Sequence, residues 1–422
     1  MVGGGAGKRA GNRTDPRAGD RQALSNVGGP VEARGDMAFR FPLVEALRAQ
    51  DLDEPSELIH GFHAYPARMH PAVARVLLRE LSVGPGSEVL DPFCGSGTVA
   101  VEALISGWRA LGSDLDPLAL RLARVKTERR GPKTRARFLD RLAAIGAASS
   151  ARVRDRDDVQ AKISADERRW YEVHVLKELA GLLEEIRKVD DERDRLALEM
   201  VFSAIVVKFS RQRSETAART TDKRLRKGLV TEFFVRKGEE LAAAWAELSA
   251  AIPRPHHLPR FVLSDARRLP RTLAGEYRCD LVLTSPPYGG TYDYLHHHAR
   301  RHAWLGISPK KLREKEIGAR RYLSRGNGGA GSRARWDDEM TAVLGSIAEL
   351  LRPDAVAVLL VGDAELGGER IAADSQLERL APAAELEFLA AASQPRPDWR
   401  GGPPRREHLV ALRRVDFAGP RG

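Results

Sequence analysis

Apolar positions along the chain fall into two stretches where short continuous runs alternate with helical spacing, separated by a stretch that is helical throughout. After a polar turn at His60, Val73, Val76, Leu77 and Leu81 mark a helix, and Ser87 to Asp91 reads as a strand. Pro92 to Thr98 turns into a helix with Val99, Ala103 and Leu104 inward; Arg109 to Ser113 gives a second strand ending at Asp114, and a helix starts at Pro117. From about 130 to 258 the spacing is helical: Trp170, Leu176, Leu179, Leu183 and Ile186 mark one helix, Leu196 to Phe209 a second, and Phe233, Leu241, Trp245 and Leu248 a third. Strand-like runs resume at Phe261 to Arg267, Asp280 to Leu283 and Ala355 to Val361, and the runs Leu386 to Ala390 and His408 to Leu412 are expected to pair as an antiparallel edge. This succession predicts an α/β fold, a doubly wound Rossmann-like sheet of about seven strands with a helical insertion. Residues 1–36 are rich in Gly and Arg without apolar periodicity and read as a disordered tail; translation from Met37 in place of Met1 stays open.

Composition narrows the classes. The 42% hydrophobic content is that of a globular chain, and no run of about 18 apolar residues is present to span a membrane. Two cysteines, Cys94 and Cys279, are too few for a disulfide framework or a cysteine-based zinc site, and they fit a reducing cytoplasm. A net charge of +11 favours an anionic partner, with nucleic acid the commonest. Two basic stretches stand out: ten Lys/Arg against three acidic residues over 208–237, and nine against two over 310–335. The second is expected to be a loop that closes on DNA or an ordinary basic surface loop.

Two turns carry the candidate chemistry. The order of strand, Gly-rich turn, helix, strand and acidic residue over 87–114 is that of the first half of a nucleotide-binding α/β domain. Its glycines let backbone approach a ligand, and an acidic side chain at the end of the second strand can accept from ribose hydroxyls. The turn lacks the Gly-Lys-Ser/Thr of a P-loop, which argues against an NTPase. Thr284-Ser285-Pro286-Pro287-Tyr288 follows a buried strand, where α/β sheets bind ligands. Two prolines stop the strand and leave the Ser285 and Pro286 carbonyls free to accept from an amino group. Tyr288 adds a flat face for an unstacked base. The histidines His296, His297 and His298 are consecutive, share no helix face and read as a solvated or phosphate-facing helix rather than a metal site.

Asp91-Pro92-Phe93-Cys94-Gly95-Ser96-Gly97-Thr98 together with Thr284-Ser285-Pro286-Pro287-Tyr288 resembles the paired signatures of the S-adenosylmethionine-dependent DNA amino-methyltransferases, over residues of about 60–128 and 259–363. The resemblance implies a cofactor-binding half at 37–129, a helical insertion at 130–258 that is the candidate for target recognition, and a catalytic half at 259–422. It implies S-adenosylmethionine held by Asp91, Phe93, Gly95, Gly97 and Thr98, with Asp114 on the ribose and Asp265 on the adenine. His63, Tyr65 and Pro66 resemble the segment that closes over the methionine end. Ser285, Pro286 and Pro287 would hold the target amino group, with Tyr288 stacked on the base. The implied substrate is double-stranded DNA with a flipped-out base, cytosine N4 first and adenine N6 open, and a restriction endonuclease is the implied partner in a restriction-modification pair. An RNA base methyltransferase and a non-catalytic nucleic-acid-binding protein that keeps the fold are the competing readings.

Overall fold

A computed structural model describes residues 29–51, 54–84, 86–212, 220–323, 329–396 and 405–415. The chain enters through β1 (Glu32–Gly35), α1 (Met37–Ala49) and α2 (Pro71–Glu80), then lays down β2 (Glu88–Asp91), α3 (Thr98–Ile105), β3 (Arg109–Asp114) and α4 (Pro117–Lys126). A helical run follows, α5 (Pro132–Asp155), α6 (Ala165–Arg168), α7 (Val173–Arg187), α8 (Glu192–Val206) and α9 (Leu229–Ala251). The sheet resumes with β4 (Arg260–Leu263), α10 (Leu269–Thr272) and β5 (Cys279–Thr284). Next come α11 (Tyr294–Leu305), α12 (Lys310–Lys315), α13 (Arg320–Leu323), α14 (Gly329–Leu350) and β6 (Leu351–Gly362). The small ribbon β7 (Ala364–Leu366) and β8 (Glu369–Ile371), then α15 (Ala373–Leu380), precede β9 (Leu386–Arg396) and β10 (Arg405–Arg414).

The main sheet has eight strands in the order β1-β9-β10-β6-β5-β2-β3-β4. Strands β4, β3, β2, β5 and β6 are parallel, and β10 runs antiparallel to both β6 and β9. Successive residues serve opposite faces, as the strand period requires. Val89, Leu281, Leu283, Val358 and Leu360 join α1 and α2 in one core, while Leu90, Val282, Ala357, Leu359 and Val361 join α14 and α15 in another. Both faces are therefore covered, which explains why these strands read as continuous apolar runs. Chain order reverses between β2 and β5, and that is the switch point where an open α/β sheet binds its ligand.

The expected antiparallel edge is present, and the eighth strand, β1, falls within the stretch read as a disordered tail. Four residues, Glu32 to Gly35, are too short to show a period, and they are ordered by pairing with Ser393 to Ala390 of β9. Residues 1–28 lie outside the described residues.

The helical region forms a third layer rather than an appendage. Phe138, Leu142, Leu179, Phe202, Phe234 and Trp245 share one apolar cluster with Val101, Leu104, Leu118, Leu122 and Val125 of α3 and α4. The Trp245 Nε1–H donates to the Val125 carbonyl at 2.9 Å, and the Arg130 guanidinium, paired with buried Asp194, lies 4.1 Å from the Trp245 ring centre. Among the described residues no helix is long and apolar enough to cross a membrane.

Candidate cofactor cleft and catalytic turn

The site grows from the ends of three adjacent parallel strands. Asp91 ends β2, Asp114 ends β3 and Thr284 ends β5. The Thr284 hydroxyl donates to Asp91 Oδ1 at 2.6 Å, and the Phe93 N–H reaches the same oxygen at 3.1 Å. Asp114 accepts from the Gly95 N–H at 2.9 Å and the Asp116 N–H at 2.8 Å. Two carboxylates thus pin the turn 92–97 from both sides. Gly97, at φ 84°, caps α3, and a Cβ there would lie 2.8 Å from that of Ala123 on α4, so the turn needs glycine for conformation and for close approach. Burial pushes the carboxyls of Asp91 and Asp114 up to about 7, and in Asp114 the nearby negative charges of Asp116 and Asp91 add to it.

A cleft of about 810 Å³, counted out to its mouth into solvent, opens over this turn. Of the residues singled out in the sequence, Tyr65, Asp91, Phe93, Gly95, Thr98, Asp114, Asp265, Ser285 and Pro287 line it. The Thr98 hydroxyl is buried in its wall without a hydrogen-bond partner among the described residues. Asp265 is both a cleft residue and a helix cap. It accepts from the Arg267 backbone N–H at 3.1 Å and from Arg267 Nε at 2.9 Å. Burial raises the Asp265 carboxyl, but the Arg267 guanidinium outweighs it and holds the group below the ordinary carboxylate range.

Four of the remaining residues do not line the cleft, nor does Tyr288. His63 turns toward α8, with Nε2 3.0 Å from the Ser203 hydroxyl and Nδ1 2.8 Å from the Ala64 carbonyl. Pro66 adjoins the lining residue Tyr65 in the chain, Pro286 stands between the lining residues Ser285 and Pro287, and Gly97 faces α4. Tyr288 is buried where an open face was expected. Its hydroxyl donates to Glu407 Oε1 on β10 at 2.6 Å, and the Arg396 guanidinium carbon lies 5.2 Å from its ring centre. A Cβ on Gly362 would come within 2.6 Å of the ring, so Tyr288 packs directly on the end of β6.

The histidine run also differs from its reading as a solvated face. His296 is exposed, but His298 is buried, and with His302 it meets Asp116. The readable signal was the spacing of His298 and His302, one turn apart on α11. The basic stretch 310–335, expected as a loop, carries the helices α12 and α13 and the start of α14, with a non-helical turn at 316–319, and Leu312, Lys315, Glu316 and Ile317 line the cleft. Its Gly-rich centre at 324–328 lies outside the described residues.

Fold and cleft define the class, a doubly wound α/β domain with a nucleotide-type cofactor cleft at its switch point. Residues 62–145 match the sequence model of a family described as RMKL-like, methyltransferase domain. Over 74 residues the chain is 40% identical to the type II methyltransferase M.MvaI of Kocuria varians, covering 17% of this chain and 16% of that protein. Over 52 residues it is 42% identical to the tRNA (guanine(10)-N2)-dimethyltransferase of Methanothermobacter thermautotrophicus, covering 12% and 16%. Over 97 residues it is 37% identical to the tRNA (guanine(6)-N2)-methyltransferase of Thermus thermophilus, covering 22% and 27%. The match spans under a third of each relative's length.

The residues present fit S-adenosylmethionine as the cofactor. Two buried carboxylates held near 7 regain their ionised form beside a cationic ligand that also offers hydroxyl donors, and the Thr98 hydroxyl is unpaired at the same wall. Phe93, Val99, Leu115 and Ile317 supply apolar surface for a heteroaromatic ring.

Proposed function

We propose that the protein transfers a methyl group from S-adenosylmethionine to the exocyclic amino nitrogen of a nucleic-acid base, with cytosine N4 in double-stranded DNA as the substrate. The observation that carries the proposal is that Ser285 and Pro287 line the same cleft as Asp91 and Asp114, joined to them through the Thr284–Asp91 hydrogen bond.

When bound, S-adenosylmethionine supplies an electrophilic methyl group on a good leaving group. The chain's own residues then have to bind, orient and polarise. Asp91 and Asp114 hold the charged and hydroxylated parts, and Tyr65 closes the side of the cleft beside Gly95. Among the described residues no donor is spent on the Ser285 or Pro286 carbonyl, so both are free to accept from an incoming amino group. An exocyclic amine is a poor nucleophile because its lone pair is delocalised into the ring. Acceptors on its two hydrogens favour a tetrahedral nitrogen as the bond forms, so positioning and electrostatics suffice without a covalent intermediate. Cys94 and Cys279 are both buried, and burial raises both thiols well above their ordinary value, which leaves neither suited to attack a ring carbon.

A second reading has specific support. Three relatives are named for guanine N2 of tRNA, which is also an exocyclic amine. The reaction is common to both readings, and they differ in the nucleic acid. Expression in a methylation-free bacterial host, digestion of DNA and RNA to nucleosides and mass spectrometry separates them. Methylated cytosine in DNA supports the first reading, N2-methylguanine confined to tRNA supports the second, and no new methylated nucleoside in either pool refutes both.

A further inference from the structure

Asp116 stands two residues beyond Asp114 and caps α4, accepting the Leu118 N–H at 2.9 Å while its own N–H donates to Asp114 at 2.8 Å. Helix α11, which starts six residues after Tyr288, brings His298 and His302 to the same carboxylate. His298 Nδ1 is 2.7 Å from Oδ2, and His302 Nε2 is 2.9 Å from Oδ1 and 3.0 Å from Oδ2. All three side chains are buried, at 1–3% exposure. The separations are hydrogen-bond lengths. At these separations the ring nitrogens face Asp116 as N–H donors, and the three side chains are also close enough together to share a metal ion, an outcome that the test below distinguishes. The carboxylate is then held by three N–H groups, one from its own cap and two from α11. Tyr65 and Tyr294, both cleft residues, flank His298 with ring centres 4.9 and 6.2 Å away.

We infer that Asp116, His298 and His302 form a positioning interlock through which occupancy of the cofactor cleft fixes α11 and, with it, the catalytic turn 285–288. The inference rests on the proposed methyl transfer for its purpose. Asp114 touches the cofactor side, its partner Asp116 is one residue further along the same backbone than Leu115, and the two imidazoles attach that backbone to the helix that follows the catalytic turn. A buried carboxylate that loses a donor is left underpaired, so one register of α11 against α4 is strongly preferred over its neighbours. His298 and His302 do not line the cleft, and their role is to position rather than to react.

The test is hydrogen–deuterium exchange with S-adenosylhomocysteine as the probe, on the full chain, its His302→Leu variant and its His302→Gln variant. In the unsubstituted protein the probe is expected to slow exchange in peptides spanning 91–98 and 288–305 alike. In His302→Leu, protection at 91–98 persists and the change at 288–305 is lost. In His302→Gln, whose amide can still donate to Asp116, it returns. Turnover should follow, with kcat reduced at least tenfold in His302→Leu, the probe's Kd within twofold, and kcat in His302→Gln within about threefold of the parent. Unchanged protection at 288–305 in His302→Leu overturns the interlock, as does one equivalent of tightly bound zinc in the purified protein. Absence of protection at 91–98 in the parent overturns the cofactor reading instead, and the interlock's purpose with it.

Discussion

Replacing Asp91 with Asn separates what the site needs from what the fold prefers. Buried Asp91 is held at about 7 against an ordinary 3.8, which corresponds to roughly 4 kcal/mol against its ionised form in the folded protein at pH 8. The sign follows from linkage. A carboxyl whose folded pKa is raised binds its proton more tightly in the folded state, so stability is intact below about pH 4, falls as pH rises towards 7, and stays reduced above it. The amide keeps an oxygen for the Thr284 hydroxyl and the Phe93 N–H without the charge. At pH 8 the Asp91→Asn variant should therefore be more stable without cofactor, with Tm raised by about 4–8 °C at about 1–2 °C per kcal/mol for a chain of this size. At pH 5 the advantage should shrink to less than half. The parent should gain about 2.7 kcal/mol from S-adenosylmethionine at a hundredfold excess over Kd, and Asp91→Asn should gain almost none at the same concentration. Differential scanning fluorimetry at both pH values, with and without cofactor, reads all four quantities. An equal Tm rise at pH 5 and pH 8, or full cofactor stabilisation of Asp91→Asn, would refute the assignment of Asp91 as a strained carboxylate kept for a cationic ligand.

Asp114→Ala removes the acceptor for the Gly95 and Asp116 N–H groups, and isothermal titration should show cofactor Kd raised at least tenfold, about 1.4 kcal/mol. Tyr288→Phe leaves the Glu407 carboxyl buried without its phenol donor, a loss of about 1–3 kcal/mol; urea unfolding should show it while cofactor Kd stays within twofold. Trp245→Ala opens a cavity in the helical layer and deletes the bond to Val125, and is expected to lower stability by about 3–5 kcal/mol with little change in cofactor Kd of the folded fraction.

Much of the sheet was legible because both its faces are covered: buried parallel strands announce themselves as apolar runs, and Asp91, Asp114 and Thr284 sit where those runs end. The strand-end part of the cleft was legible for the same reason, since each strand end follows its own apolar run, whereas Tyr294, Leu312 and Lys315 to Ile317, which also line it, carry no such mark. What stayed hidden is non-local. Glu407 and Arg396 reach Tyr288 from strands more than a hundred residues further on, so nothing near the turn 284–288 signals that its tyrosine is a strut against β6 and β10. His63 was expected at the cleft because the His63-Tyr65-Pro66 segment resembles one that closes over the cofactor, yet its ring bonds to Ser203 of the helical layer. Asp116 reads as an ordinary cap before Pro117 until α11 is folded against it. β1 has too few residues to carry a period at all.

The separation of the two motifs along the chain has a physical explanation in this topology. Neighbouring strands lie about 4.8 Å apart, so side chains at their ends can touch however much chain lies between them. Asp91 and Thr284 are 193 residues apart in sequence and share a 2.6 Å hydrogen bond because β2 and β5 are adjacent. The helices α5 to α9 enter the chain between α4 and β4, and β4 is the sheet's outer strand. Growth at that edge leaves the β2–β5 junction unchanged. Its helices pack on α3 and α4, whose N-terminal turns carry Thr98 and Asp116, so the added layer braces the cofactor turn from behind.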